Sequence, residues 1–213
     1  MTFYIPPLVE FPNTLNIFDG SKKWYHEGKL HRENGPAVIY SNGHQEWYRK
    51  GKLHRDDGPA VIYPDGSEEW YVNGYRHRLN GPAVIMNGKE KWYQYGYLNR
   101  LDGPAVITNG EEKWYQSGFL HRLDGPAVIS NGEEKWYIDG ARICKETVYK
   151  NSGKDCSVCI SDIDGECYKT ICNHYFHIEC LNEVLYSQYV CPNCRHTIKD
   201  YDDSYDDSYD DVF

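Results

Sequence analysis

A repeat of 22 or 23 residues runs through the first two thirds of the chain. Every tryptophan belongs to it, at Trp24, Trp47, Trp70, Trp92, Trp114 and Trp136. A Gly-Pro-Ala-Val-Ile block recurs in the same phase, beginning at Gly35, Gly58, Gly81, Gly103 and Gly125. A period of this length indicates an array in which each unit packs on its neighbours, because one unit is too short to bury its own apolar face.

Each unit has the features of β structure. A turn pair follows every Ala-Val-Ile segment, at Asn42-Gly43, Asp65-Gly66, Asn87-Gly88, Asn109-Gly110 and Asn131-Gly132. Such a pair between apolar runs is a strong hairpin signal, because both turn residues then take positive φ. The Trp-Tyr pairs favour a pleated surface and are predicted to form the core. We therefore expect a mainly β fold, in which residues 1–142 form an elongated array of antiparallel hairpins.

A second set of residues recurs at one position of the repeat and is a candidate binding surface. It consists of His31, His54, His77 and His121, with Asn99 at this position in the fourth unit and an Arg after each. A row of imidazoles beside guanidinium groups could recognise an acidic partner. It could also be a cross-strand ladder that stabilises the sheet. Packing within the array favours the ladder, because equivalent residues of a repeat contact the same neighbours.

Eight potential metal ligands lie in four close pairs near the C-terminus. They are Cys156, Cys159, Cys172, His174, His177, Cys180, Cys191 and Cys194. A structural zinc ion takes four tetrahedral Cys or His ligands, so eight ligands predict two Zn²⁺ sites. A disulfide framework is the alternative, but a Cys/His cluster without a signal peptide is more typical of metal binding. Cys144 and Cys167 lie outside the pattern and are interpreted as structural or incidental thiols.

The order and spacing of these ligands resemble the RING finger of the two-histidine type. The PHD finger, which has a single histidine in the middle of its set, fits less well. The resemblance implies that the ligand pairs alternate between the two ions, whereas the spacing alone leaves the pairing open. One zinc would then be bound by Cys156, Cys159, His177 and Cys180, and the other by Cys172, His174, Cys191 and Cys194.

The resemblance also implies ubiquitin ligation, in which the domain binds a ubiquitin-conjugating enzyme and ubiquitin. Residues of this chain match the contact positions of that family: Ile160 follows the second ligand, Pro192 the seventh and Arg195 the eighth. Val184 stands where many members have Trp, which reduces the contact area of the docking surface. Closed zinc sites leave no position for water, so catalysis would come from proximity and orientation, without a covalent intermediate. A non-enzymatic zinc-dependent scaffold or adaptor is the alternative.

The repeat units resemble divergent MORN repeats, on the Gly-Lys-Leu-His segments at Gly28 and Gly51 that precede a Gly and a hairpin. The usual MORN unit has a second Gly where this chain has Arg32, Arg55, Arg78, Arg100 and Arg122. The resemblance implies a protein-binding array, which would recruit a protein substrate. The Gly-Pro-Ala-Val-Ile form is similar to arrays in large DNA viruses of protists.

The remaining boundaries follow from changes in composition. The tryptophan period stops before residues 143–154, which we interpret as a linker to a zinc domain at residues 155–199. Seven Asp and no Lys or Arg occur in residues 200–213. Such a run of like charge predicts a disordered acidic tail, which either binds a partner or aids solubility.

Charge and hydropathy restrict the partners and the location. The chain has 213 residues and a formal net charge of −9, which disfavours a nucleic-acid partner. It contains no apolar run long enough for a membrane span, and MTFYIPPLVEFPN lacks the basic start of a signal peptide. We therefore expect an intracellular protein that is not secreted, in the cytoplasm or nucleus of a eukaryotic host cell.

Overall fold

The computed structural model describes residues 13–187 and 190–198. The acidic tail predicted at residues 200–213 lies outside the described residues, as do residues 1–12. The chain divides into two compact parts: the first unit is Met1–Tyr97 and the second unit is Leu98–Phe213.

Short antiparallel strands dominate the described residues, which confirms the mainly β fold. The strands are β1 (Thr14–Phe18), β2 (Ser21–His26), β3 (Lys29–Leu30), β4 (Val38–Ile39), β5 (Gln45–Glu46), β6 (Tyr48–Arg49), β7 (Lys52–Leu53), β8 (Val61–Ile62), β9 (Glu68–Glu69), β10 (Tyr71–Val72), β11 (Tyr75–Arg76), β12 (Val84–Met86), β13 (Lys89–Lys91), β14 (Tyr93–Gln94), β15 (Tyr97–Leu98), β16 (Val106–Thr108), β17 (Glu111–Lys113), β18 (Tyr115–Gln116), β19 (Phe119–Leu120), β20 (Val128–Ser130), β21 (Glu133–Ile138), β22 (Ala141–Val148), β23 (Gly165–Thr170) and β24 (Tyr175–Phe176). One helix, α1 (Ile178–Ser187), follows them.

Each repeat is built from two hairpins. The first joins the Ala-Val-Ile strand to the strand before the next Trp, as in β8 and β9, where Val61 pairs with Glu69. These strands make one sheet in the first unit, in the order β1-β2-β4-β5-β8-β9-β12-β13. The second hairpin begins after the Trp and forms a separate two-stranded sheet, such as β6-β7 and β10-β11.

The turn of the first hairpin explains why the repeat has two lengths. At Asn87-Gly88 both residues have positive φ, 50° and 73°, which matches the predicted two-residue turn. In the two 23-residue units the turn has one more residue, and only Gly43 and Gly66 take positive φ. The prediction that both turn residues have positive φ is therefore wrong for those two repeats, because a three-residue loop needs only its last residue in that region. It is also wrong at Asn109-Gly110, where only Gly110 has positive φ.

The prediction that the Trp-Tyr pairs form the core is confirmed for two of the tyrosines but not for the tryptophans, since Tyr93 is 4% exposed and Tyr115 2%. The positions buried in every repeat are the Ala and Val of the Gly-Pro-Ala-Val-Ile block, such as Ala60 (0% exposed) and Val61 (4%). All six Trp side chains are half-buried. A guanidinium group covers the Trp ring of the same repeat; for example, Arg122 Cζ lies 4.0 Å from the centroid of the Trp114 ring. The array therefore has an Ala-Val core with a layer of stacked Arg and Trp beside it.

The arginine of each repeat also donates hydrogen bonds to the loop that follows it. Arg122 donates from Nη1 to the Pro126 carbonyl (3.3 Å) and from Nε to Asp124 (2.9 Å). A Cβ built on Gly125 would lie 2.6 Å from Arg122 Cζ, so a larger residue here would displace the guanidinium from its place. The Arg at this position of the repeat is thus a structural residue of this array.

In the second unit, the strands continue in the order β16-β17-β20-β21-β22-β23-β24. Strand β22 includes residues 143–148, so the interpretation of these residues as a linker is wrong. β22 pairs with β21 on one side, where Trp136 is opposite Ile143, and with β23 on the other, where Ile143 is opposite Thr170. Residues 141–143 pair with β21 and residues 143–148 with β23, so β22 lies between these two strands in the sheet.

One hydrophobic core extends from the last repeat hairpin to the C-terminal region. Ile138 and Ile143 belong to it, together with Tyr168 and Phe176. Helix α1 contributes Leu181 and Leu185, which lie on one face at i and i+4 and are fully buried. Glu179 in its first turn is favourable for the helix dipole. This core holds the elements that carry the predicted metal ligands.

Candidate metal centres and docking surface

Two of the four ligand pairs form backbone turns with the same hydrogen bonds. In the first turn, the Ile160 N–H donates to the Cys156 carbonyl at 2.8 Å, and the Cys156 N–H donates to Ser161 at 2.9 Å. In the second, the Arg195 N–H donates to Cys191 at 2.8 Å, and the Cys191 N–H donates to His196 at 2.8 Å. Each turn points two sulfur atoms toward one point and leaves the next residue at the surface.

The other two pairs come from the β23–β24 hairpin and from the start of α1. Asn173 closes the hairpin with φ of 64°, and its N–H donates to the Thr170 carbonyl at 2.9 Å. This turn presents Cys172 and His174. His177 and Cys180 lie three residues apart at the beginning of the helix, where the Leu181 N–H donates to the His177 carbonyl at 3.0 Å. The i, i+3 spacing places both side chains on one side of the helix.

The structure brings the eight predicted ligands together as two groups of four. One group is Cys156, Cys159, His177 and Cys180, and the other is Cys172, His174, Cys191 and Cys194. The ligand atoms in each group lie within 4.8 Å of one another. This is the alternating arrangement that the RING resemblance implies.

The donor set and its spacing fit zinc. Cys159 Sγ lies 3.3 Å from His177 Nδ1, and Cys191 Sγ lies 3.3 Å from His174 Nδ1. Two ligands of one tetrahedral zinc ion, at about 2.3 Å for sulfur and 2.0 Å for nitrogen, are separated by about 3.5 Å. Four protein ligands complete a tetrahedral ion, so each group has the composition of a structural zinc site.

Hydrogen bonds and burial give the ligand thiols different acidities. Hydrogen bonds from the Ser161 side chain and backbone lower the pKa of Cys159 to about 6. Burial raises the pKa of Cys180 to about 12 and that of Cys191 to about 11. A bound divalent cation deprotonates coordinating thiols, and protons compete with it, so acidification weakens metal binding.

Two residues outside the ligand pattern support the clusters. Ser161 lies beside Cys159, as described above. The Thr170 hydroxyl lies 3.1 Å from Cys172 Sγ and accepts a hydrogen bond from the His174 N–H at 3.3 Å. Sequence reasoning did not identify them, because a single Ser or Thr carries no spacing signal. Their position two residues from a ligand is the only feature that could have suggested them.

The predicted contact residues lie at or near the protein surface. Ile160 is 84% exposed, and Pro192 and Arg195 are also exposed. Val184 lies on α1 and is half-buried. Ile160 follows the first ligand turn and Arg195 follows the second, so equivalent backbone positions present an aliphatic and a cationic side chain.

Ile160 adopts a strained backbone conformation. Its φ is 58°, in the left-handed region that β-branched residues rarely enter. Such a conformation costs about 1–3 kcal/mol and persists where the surrounding structure imposes it. The hydrogen bonds of the ligand turn impose it here. Because the side chain is exposed, core packing does not explain why this position holds isoleucine.

Residues 154–195 match the Ring finger domain family. RING-H2 finger protein ATL60 of Arabidopsis thaliana is 38% identical over 55 residues, which are 24% of this chain and 18% of that protein. E3 ubiquitin-protein ligase ZNRF3 of Xenopus tropicalis is 40% identical over 55 residues, which are 25% of this chain and 6% of that protein. E3 ubiquitin-protein ligase ATL76 of Arabidopsis thaliana is 39% identical over 49 residues, which are 22% of each.

The match and the two ligand clusters together identify the C-terminal region. Residues 154–195 form a RING-H2 finger domain that binds two zinc ions. The chain covers less than a quarter of the length of these relatives, so the similarity concerns this domain. In the described part of the chain, no helix is both long and apolar enough to cross a membrane.

Proposed function

We propose that this protein is a RING-type ubiquitin ligase. The observation that carries the proposal is the pair of equivalent ligand turns, which present exposed Ile160 and Arg195 beside two closed zinc sites. Two of the relatives named above are E3 ubiquitin-protein ligases, and their similarity lies in this domain.

The mechanism is positioning without a covalent intermediate. Ile160, Pro192 and Val184 offer an apolar surface to a ubiquitin-conjugating enzyme charged with ubiquitin. Arg195 carries a planar guanidinium that can bridge carbonyl acceptors on the enzyme and on ubiquitin at once. Restricting the thioester to a reactive orientation lowers the entropic part of the barrier to attack by an amine. The zinc ions fix the two turns, and the protein supplies no nucleophile.

The repeat array would bring a protein substrate to this domain. We assign it to the MORN type on the sequence features given above, with Arg at the position of the second Gly. Its similarity to viral arrays leads us to propose a large DNA virus as the source. A ligase must meet conjugating enzymes, which places this protein in the cytoplasm or nucleus of a eukaryotic host cell.

Discharge of ubiquitin from a panel of charged conjugating enzymes tests the ligase function. We expect the full chain to accelerate transfer to free lysine or to itself with at least one enzyme. Arg195→Ala should slow the transfer roughly tenfold or more, because a hydrogen-bonded charged group contributes about 1.5–3 kcal/mol. Ile160→Ala should weaken docking of the enzyme. Both variants should keep two zinc ions, since neither residue is a ligand.

Matched controls separate these contacts from general damage. Arg142 and Ile171 are exposed in the second unit, which also contains Arg195 and Ile160. Arg142→Ala and Ile171→Ala should therefore leave ubiquitin transfer unchanged. Full zinc occupancy without transfer by any enzyme of a broad panel would support the scaffold function instead. Val184 is the residue that favours that alternative, because its small side chain reduces the contact area. Val184→Trp should therefore strengthen enzyme docking if the ligase function is correct.

A further inference from the structure

The turns of the second hairpins form a continuous row in the first unit. The Gly51 N–H donates to the Leu30 carbonyl at 2.8 Å, and the Gly74 N–H donates to the Leu53 carbonyl at 2.8 Å. The Gly96 N–H then donates to the Arg76 carbonyl at 2.9 Å. Each turn is thus hydrogen-bonded to the strand that leaves the preceding turn. We call this edge the tip row; its side chains are Glu27, Lys29, Lys50, Lys52, Asn73, Tyr75, Tyr95 and Tyr97.

Side chains of successive repeats lie one after another along the tip row. The methylene groups of Lys29 lie 3.6–3.9 Å from the position of a Cβ at Gly51, and those of Lys52 lie 3.8–4.0 Å from that position at Gly74. Tyr75 Cδ1 lies 3.3 Å from the equivalent position at Gly96. Each side chain therefore covers the glycine of the next turn, and together they form one surface.

The tip row changes from basic to aromatic along its length. Lys29, Lys50 and Lys52 are exposed and form no ion pair within the residues that the structure describes. Tyr75 is 47% exposed, Tyr95 66% and Tyr97 53%. Glu27 is the one carboxylate among the eight side chains.

Tyr95 places an exposed aromatic ring at the turn position before Gly96. Its φ is 50°, a left-handed value that the turn also gives to the equivalent residues Glu27, Lys50, Asn73, Ser117 and Asp139. The Tyr95 ring packs on His77, with centroids 4.3 Å apart, and its other face remains at the surface. Because Asn73 fills the same position in the preceding repeat, the turn does not need an aromatic residue, and binding explains the exposed Tyr95 ring better than packing does.

We propose that the tip row binds an extended protein segment that is acidic at one end and apolar at the other. Residues 13–97 carry twelve Lys and Arg against ten Asp and Glu, although the whole chain has a net charge of −9. The acidic half would contact the three lysines, and the apolar half would lie on the tyrosines. Each repeat adds two strands, or about 10 Å, so four tips span about 30 Å and accommodate roughly nine extended residues.

A single-stranded nucleic acid fits this surface less well. Its phosphates are evenly spaced and would need cations along the whole row, together with interleaved aromatic residues. Here the lysines are at one end and the tyrosines at the other. The assignment of this segment as part of a ubiquitination substrate rests on the proposed ligase function, whereas binding itself does not.

Binding by the full chain to a labelled nine-residue peptide tests the proposal. The probe has four glutamates, one glycine and four leucines, and its comparisons are the same composition in alternating order and a nine-nucleotide oligouridine. We expect the block peptide to bind best. Tyr95→Asn should weaken its binding at least tenfold while leaving the melting temperature unchanged or higher, because Asn suits the turn. Lys52→Glu should weaken it to a similar extent.

Two variants outside the tip row serve as controls. Lys89 is exposed in the other hairpin of the third repeat, and Tyr149 is 79% exposed in the second unit. Lys89→Glu and Tyr149→Ala should bind the block peptide like the unchanged chain. Absence of peptide binding, equal binding by all variants, or a preference for oligouridine would overturn the proposal.

The peptide assay and the ubiquitin assay fail independently. Binding needs no ubiquitin, and Tyr95→Asn leaves the RING-H2 domain unchanged. A chain that binds the peptide but transfers no ubiquitin would overturn the proposed ligase and leave the tip row assigned. A chain that transfers ubiquitin but binds no peptide would overturn the assignment of the tip row and leave the proposed ligase function standing.

Discussion

At the scale of single residues, the repeated histidines are hydrogen-bond acceptors within the array. The Asn73 N–H donates to His54 Nδ1 at 3.0 Å, and the Ser117 N–H donates to the Asn99 side chain at 2.9 Å. Their common position in the repeat was evident from sequence, as was the preference for a structural role. Their partner was not, because it is a backbone amide in a turn 18 or 19 residues further along the chain.

His54 is the most informative of these residues to change, because it is only 7% exposed. His54→Ala should lower the free energy of unfolding by about 1–3 kcal/mol, since the Asn73 N–H loses its acceptor. His54→Asn should restore part of that loss, because Asn99 performs the same role in the fourth repeat. Urea unfolding followed by circular dichroism measures both variants. Equal losses for Ala and Asn would show that the turn does not depend on this acceptor.

A buried carboxylate in the first unit makes the free energy of unfolding fall as the pH rises above 10. Glu69 is 5% exposed and accepts hydrogen bonds from Tyr63 (2.9 Å) and Tyr71 (2.8 Å). Burial, together with the Glu69 charge, raises the pKa of both tyrosines above the usual value of 10.0. Above pH 10 the unfolded tyrosines lose protons that the folded ones keep, so the unfolded state becomes more favourable as the pH rises.

We therefore expect these two tyrosines to leave the midpoint of urea unfolding unchanged between pH 8 and pH 10, and to lower it above pH 10. Glu69→Gln should make the fall less steep, because it removes the negative charge that opposes tyrosinate formation. Tyr149→Phe, a change at an exposed position, should leave the slope unaltered. An identical slope in Glu69→Gln would show that burial alone raises these pKa values.

At the scale of elements, strand β22 differs most from the expectation. The tryptophan period ends at Trp136, and the residues that follow resemble no repeat, which is why they were interpreted as a linker. A weaker strand signal was present, since Ala141 and Ile143 alternate with Arg142 and are buried. The pairing of this strand with the RING-H2 domain depends on residues more than twenty positions away, such as Thr170 opposite Ile143. Local patterns do not contain that information.

Ile143 tests whether β22 joins the last hairpin and the RING-H2 domain into one cooperative element. It is 3% exposed and belongs to the core that contains both. Ile143→Ala should lower the free energy of unfolding by about 2–5 kcal/mol. Hydrogen exchange should show faster opening of both β21 and β23. Faster exchange in β23 alone would mean that the two regions unfold separately.

At the scale of the whole molecule, sequence predicted the architecture better than the packing. The repeat period predicted the β-hairpin array, and the Cys/His spacing predicted eight ligands for two ions, because both depend on residues close together in the chain. The division of the ligands into two groups came from the RING resemblance. The Ala-Val core and the hydrogen bonds between the turns at Gly51, Gly74 and Gly96 and the preceding repeats depend on neighbours in other repeats. The zinc ligands are thus recoverable from sequence, and the core that supports them is not.

Zinc removal should therefore affect more than the ligand turns. Elemental analysis should give two zinc ions per chain, and structural zinc sites in small peptides contribute apparent binding energies of about 10–16 kcal/mol. A chelator should release the constraint on Cys156 and Cys191, which belong to the same core as Ile138 of the last hairpin. Hydrogen exchange after chelation should accelerate in α1, in β23 and also in β21. Strands β8 and β9, which contain no ligand, should keep their protection, and restoring zinc should reverse the change. Unchanged protection in β21 would show that the last hairpin keeps its structure without the metal, as an independent array would.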